Sequence, residues 1–245
     1  MKVSVIGAGA IGGWLTAGFI EAGADVKVLA RGASLDALRA RGLGLDDGVS
    51  ERRYDVLATD DPSQLKGADV LLLGLKAQDL PALSSLIERA LDPQTVVVPA
   101  INGLPWWVFA EFGGPAQGLQ LNSTDPGGVL ARLMPADRVV GTVVHAASFV
   151  KSPGDIRLVA ANAVLMGDAG QGAHAAAIAD HLAAGGVPAS ASAQIHHDVW
   201  SKLWGNSNMN PLSALSRADL LQMLDDDGVR ALAVTMMQEM SRIGD

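Results

Sequence analysis

Cysteine is absent from all 245 residues, which excludes both a disulfide framework and a thiolate metal site. The five histidines form no metal-ligand pattern, and the adjacent His196 and His197 would point in different directions on a helix. No metal is therefore expected. Tyrosine (1) and phenylalanine (4) are scarce, yet there are five tryptophans. Trp106, Trp107 and Trp200 lie close in sequence to the candidate site residues described below. Charge is also thin, 18% of residues against 49% hydrophobic, which is the composition of a folded globular protein. The 18 basic and 26 acidic side chains leave a net charge of −8. That argues against a nucleic-acid partner but allows a local basic pocket. The length exceeds one average domain and suffices for a large core. With no targeting segment, a cytoplasmic location is expected.

The stretch from Val3 to Ile20 carries no charge. A hydropathy window could flag it as a signal peptide or a membrane span. Five glycines within it (Gly7, Gly9, Gly12, Gly13, Gly18) and a single basic residue ahead of it argue against both, so no membrane partner is expected. What stands there is a β-branched strand (2–6), the turn Gly7-Ala8-Gly9-Ala10-Ile11-Gly12, a helix to Glu21 and a second strand (24–29). A glycine motif alone is weak; flanked by strand and helix it marks half of a dinucleotide-binding fold. Gly7 permits the tight turn, Gly9 lets a pyrophosphate approach the backbone, and Gly12 lets the helix pack close to the strand. The acid that would hold the ribose 2′-hydroxyl of NAD is missing after the second strand. Arg31 stands there, with no Asp or Glu until Asp36. A guanidinium fork suits a 2′-phosphate, so NADP(H) is the expected cofactor; the alternative is a solvated surface arginine.

Further along, a short helix over 34–41 capped by Ser34 and a hairpin over 43–57 around Asp46-Asp47-Gly48 are predicted. The continuous apolar run 68–75 fits a parallel strand buried on both faces, and it ends at Lys76. A helix over roughly 80–91 and a strand over 95–101, ending at Asn102-Gly103, follow. The glycine turn, Arg31, Lys76 and Asn102 thus each come just after a predicted parallel strand, where an open α/β sheet binds its ligand. Taken singly, Lys76 could be a surface lysine and Asn102-Gly103 only a turn. Residues 104–128 read as a short helix and loops, with Trp106 and Trp107 as core or interface. A strand over 139–150 and one or two more over 155–167, joined by Ser152-Pro153-Gly154, would extend the same sheet antiparallel. A helix over 173–184 stops at Gly185-Gly186.

Residues 195–215 form a second chemical centre. Lys202, Asn206 and Asn210 are four apart, so on a helix they share one face, and Ser213 continues the stripe. Most remaining positions are apolar, which predicts a narrow polar stripe on an otherwise buried helix, broken or kinked at Pro211. Buried amides and an ammonium need partners, and a ligand with carbonyl, hydroxyl and carboxylate groups supplies them. An outward solvent stripe is the alternative. Helices over 218–224 and 229–243 follow, the latter with Val229, Leu232, Ala233, Met236, Met237, Met240 and Ile243 on a core face. The expected fold class is α/β: a Rossmann-type, doubly wound, mostly parallel sheet over 1–194, then an all-helical part over 195–245.

These motifs together resemble the ketopantoate reductases (2-dehydropantoate 2-reductases). The resemblance rests on the glycine turn, Arg31, Leu75-Lys76-Ala77, Asn102-Gly103, His145-Ala146-Ala147, and Trp200-Ser-Lys202-Leu-x-x-Asn206-x-x-x-Asn210-Pro211-Leu212. It implies NADPH-dependent reduction of 2-dehydropantoate to pantoate in pantothenate biosynthesis. Gly7, Ala8, Gly9, Ala10, Ile11 and Gly12 would bind the pyrophosphate, and Arg31 with Lys76 would lie by the adenosine and its 2′-phosphate. Asn102 would serve cofactor and substrate, and Ala147 would line the cofactor site. Lys202 would be the general acid, and Asn206 and Asn210 would bind the keto acid. A homodimer through the helical part is also expected. Family members continue through further helices that carry a substrate-binding serine and a glutamate near the lysine. The sequence ends before either, so a truncated helical part is expected. Reduction of another small 2-keto acid, or a catalytically silent NADP-binding module, remain as alternatives.

Overall fold

The computed structural model describes residues 1–244. Asp245, the last residue of the expected helical part, lies outside them. β1 (Lys2–Ile6), β2 (Asp25–Leu29), β5 (Leu57–Thr59), β6 (Val70–Leu73) and β7 (Val96–Pro99) form an all-parallel sheet in the order β5-β2-β1-β6-β7. The sheet is covered on both faces, and β6 and β7 are apolar at every position. In β6, Val70 and Leu72 enter one core, while Leu71 and Leu73 enter the other.

A second sheet holds the hairpin β3 (Leu43–Asp46) and β4 (Glu51–Tyr54), the long strands β8 (Val140–Ser152) and β9 (Asp155–Asp168), and β10 (Ala189–Ala191). The antiparallel strands thus do not extend the first sheet, as their sequence had suggested, but form a sheet of their own. A single bridge, Val97 to Val139, links the two sheets' strands. β7 ends at Pro99, which has no N–H to give a ladder. Beyond it, side chains replace the ladder: Thr142 Oγ1 donates to Pro99 O at 2.7 Å. The Trp107 indole lies flush on Gly141, where a Cβ would come within 2.3 Å of its ring.

Helix α1 (Ala10–Glu21) runs between the sheets, and Gly12 to Phe19 are all buried. This explains the missing charge: the helix is apolar all round because it is enclosed, not because it meets lipid. No helix among the described residues is long and apolar enough to cross a membrane. α2 (Ala33–Arg41) and α5 (Ala175–Ala184) share the core of α1, while α3 (Ser84–Ala90) and α4 (Val129–Leu133) belong to the core on the other face of the first sheet. Two boundaries differ from expectation. α2 is capped by Gly32 with no side-chain bond, rather than by Ser34. The helix expected over 80–91 begins as a 3-10 turn, Pro81–Leu83, and only Ser84–Ala90 is α-helical.

α6 (Ile195–Ser216), α7 (Leu220–Asp225) and α8 (Asp227–Gly244) complete the chain. α6 roots on the sheet core through buried Ile195 and Val199. Its later turns pack on α8. Trp204 Nε1 donates to Met237 O at 2.8 Å, and Asn208 Nδ2 lies 3.4 Å from Ala233 O, one turn on along α6 and one turn back along α8.

Candidate active site

The glycine turn is built by backbone touching backbone. Gly7 has φ +93°, a conformation glycine adopts without strain. A Cβ on Gly12 would sit 2.0 Å from Gly7 O, and one on Gly74 would sit 2.2 Å from the same oxygen. Three glycines therefore interlock, and the sequence reading had found only two of them. Gly9 differs: a Cβ there would meet nothing within 4 Å. It is the N-cap of α1, has no side-chain capping bond, and opens onto free space. A helix N-terminus with unclaimed N–H groups and room beside it fits a pyrophosphate.

Beside this turn lies a cleft of about 240 Å³ whose walls include Gly7, Ala8, Gly9, Arg31, Leu75 and Val150. Arg31 is exposed and makes no ion pair among the described residues. Two carboxylates also face the cleft and were not foreseen, Asp60 and Asp155. Each is already matched: Asp60 with Arg39 at 3.4 Å, Asp155 with Arg41 at 2.7 Å and Arg53 at 2.9 Å. Burial pushes the Asp155 carboxyl up, but the Ser152 hydroxyl and the two guanidinium groups outweigh it and hold it below its ordinary value. The cleft's cation without a carboxylate partner is thus Arg31. Lys76 is exposed at the carboxyl end of β6, outside the residues lining this cleft.

A second cavity, of about 250 Å³, is lined by His145, Leu165, Asp198, Ser201, Lys202, Gly205 and Asn206. Lys202 Nζ lies 3.3 Å from His145 Nδ1. Burial first, and then the Lys202 charge, hold the His145 ring below its ordinary pKa, with Asp198 acting the other way. The ring is therefore neutral near pH 7 and accepts from the ammonium.

β8 joins the two cavities. Asn102 clamps it just before His145: its amide donates to Val144 O at 3.2 Å and accepts from Val144 N at 3.1 Å. Three residues past His145, about 10 Å at strand rise, Ser148 Oγ lies 3.0 Å from Ala10 O in the first turn of α1. Exposed Ala147 lies between them. The amine of Lys202 thus lies beside a strand that reaches the glycine turn.

The stripe on α6 is only partly as expected. Lys202 and Asn206 share the cavity; Asn210 is exposed and outside it. Ser213 instead donates to Ala218 O at 2.7 Å, closing the turn after the helix. The helix is not otherwise buried: Ile195, Val199, Asn208 and Leu212 are its buried residues, and Leu215 is 83% exposed. Nor does it stop at Pro211. The buried side chains of Asn208 and Leu212 hold it on both sides of the proline, and it runs on to Ser216. Two residues escaped the sequence reading. His145 lies in the His145-Ala146-Ala147 motif, whose sequence alone assigns it no role. Asn208 is buried, and its Oδ1 has no hydrogen-bond partner among the described residues, on the side facing α8.

This fold, a Rossmann-type α/β unit followed by helices, is the class in which the chain stands. Residues 3–106 match the family model "Ketopantoate reductase PanE/ApbA", and residues 194–245 match its C-terminal counterpart. A 2-dehydropantoate 2-reductase from Mesorhizobium japonicum is 39% identical over 248 residues, covering 100% of this chain and 76% of the relative. A solved chain from Ralstonia solanacearum MolK2, assigned to the ketopantoate reductases, superposes with a TM-score of 0.93 at 39% identity, covering 99% of this chain and 76% of that one. D-mandelate dehydrogenase, solved with NADH and anilino(oxo)acetate, shares the fold at 19% identity and a TM-score of 0.82. The chain belongs to the ketopantoate reductase family.

Proposed function

We propose that the chain reduces 2-dehydropantoate to pantoate with NADPH, residues 1–194 holding the nucleotide and the helical residues 195–245 meeting the substrate. The observation that carries this reading is Lys202 Nζ at 3.3 Å from His145 Nδ1, on a strand tied to the glycine turn. Gly7, Ala8, Gly9, Ala10, Ile11 and Gly12 would cradle the pyrophosphate. Arg31 and Lys76 would lie by the adenosine and its 2′-phosphate. Asn102 and Ala147 would flank the nicotinamide end. NADPH supplies hydride to the C2 carbonyl of the keto acid.

The protein's own part is to hold the ketone and manage the charge that develops on its oxygen. Lys202 stabilises that alkoxide electrostatically and gives it a proton from Nζ. Asn206 and Asn210 orient hydroxyl and carboxylate groups by hydrogen bonding, adding no negative charge beside the reacting oxygen. The preference for NADPH rests on charge balance: the cleft's acids are matched by arginines, and Arg31 is left for a phosphate.

The test is oxidation of NADPH on adding 2-dehydropantoate, compared with other branched and aromatic 2-keto acids by kcat/KM. The expected result is the highest value for 2-dehydropantoate. Another keto acid ranking first would replace the substrate, and binding of NADPH with no turnover of any keto acid would leave a silent nucleotide binder.

A further inference from the structure

We infer that His145 is a positioning residue for the proton-donating lysine: its neutral Nδ1 accepts a hydrogen bond from Lys202 and sets where that amine points. The inference rests on the proposed reduction. A lysine head on four rotatable bonds loses about 2 kcal/mol of rotamer freedom when fixed, so an ammonium aimed at one oxygen needs something to hold it. His145 Nδ1 at 3.3 Å takes one of its three N–H groups and leaves the others for the substrate.

The histidine is itself well anchored. Its neighbour Val144 is clamped by the Asn102 amide, and Ser148 ties the same strand to Ala10. The charged groups acting on the ring both come from α6: Lys202, which disfavours its protonation, and Asp198, which favours it. β9 opposite presents Ala163 at this register, and the rest of the cavity wall is Leu165, Ser201, Gly205 and Asn206. Protonating His145 converts the acceptor into a donor and sets two cations against each other. The arrangement therefore works only while the ring is neutral, and kcat falls on the acid side as it gains a proton.

Imidazole nitrogen NMR reads the contact without turnover. The expected result is a neutral ring protonated on Nε2, whose titration midpoint rises in Lys202→Met. A proton on Nδ1, or an unmoved midpoint, overturns the inference. Kinetics then read its consequence. His145→Ala is expected to lower kcat about 10- to 100-fold with the keto-acid KM nearly unchanged, as a misaimed donor does. His145→Asn places a neutral acceptor near the position of Nδ1. It is expected to recover most of that loss and to lack the acid-side fall in kcat. An Asn variant as slow as the Ala variant, or one that keeps the acid limb, contradicts the inference. Full turnover in Lys202→Ala would instead remove the reading beneath it, whereas an inactive Lys202→Ala beside a fully active His145→Ala removes the positioning role alone.

Discussion

The glycine turn and the polar face of α6 are made in opposite ways. At the turn, main chain meets main chain: Gly7, Gly12 and Gly74 leave no room for a methyl group between them. On α6, long side chains reach from a half-exposed helix to a strand, and the Lys202–His145 contact carries the geometry. A backbone-built site tolerates almost no substitution but needs no rotamer ordering. A side-chain-built site can be altered one group at a time, and each alteration reads out a separate chemical role.

The comparison breaks most visibly at Lys202. Lys202→Ala is expected to cut keto-acid turnover by about 10²–10⁴-fold, the usual worth of a placed general acid, while a fluorescence titration finds NADPH binding unchanged. At the turn, Gly12→Ala forces a Cβ to 2.0 Å from Gly7 O. It should lower stability by about 1–3 kcal/mol by overpacking and abolish nucleotide binding, as thermal melts with and without NADPH would show. Gly9→Ala sharpens the contrast. Its Cβ meets no protein atom, so the melting temperature should hold while NADPH binding weakens, because only the ligand's space is taken. Arg31→Ala should raise the KM for NADPH about tenfold and leave that for NADH nearly unchanged, which is the loss of one charge-assisted contact.

The smallest effect is a pH dependence. The Asp155 carboxyl is held below its ordinary value of 3.8 in the folded chain. The unfolded chain therefore binds the proton first, and this stabilisation is present above 3.8 and lost as pH falls through the folded value. The melting-temperature gap between the unaltered chain and Asp155→Asn should be open at neutral pH and close on acidification.

The same contrast decides what could be read from sequence. Glycines that must touch leave a spacing, so the β1–turn–α1 unit was visible in the residues themselves. The second strand and Arg31 followed from the same pattern. Gly74 was missed because its partner contacts come from sixty-odd positions away in the chain. The split into two sheets was hidden for a similar reason. Alternating strands after Val139 look the same whether they join the first sheet or leave it, and the choice lies with Pro99, Thr142 and Trp107 acting across the fold. On α6 a period of four puts Lys202 and Asn206 on one face, and both line one cavity. Periodicity could not show that the helix would be half exposed, that Pro211 would be carried through, or that His145 would meet the lysine from another element.

The central claim is that nucleotide, keto acid and Lys202 meet at one point. Transfer of deuterium from C4-deuterated NADPH to C2 of the product tests it most directly. Label in the hydroxy acid made by the unaltered chain, with none made by a Lys202→Ala variant that still binds NADPH, is the expected result. Equal label transfer by that variant would contradict the claim, as would a hydroxy acid formed without label.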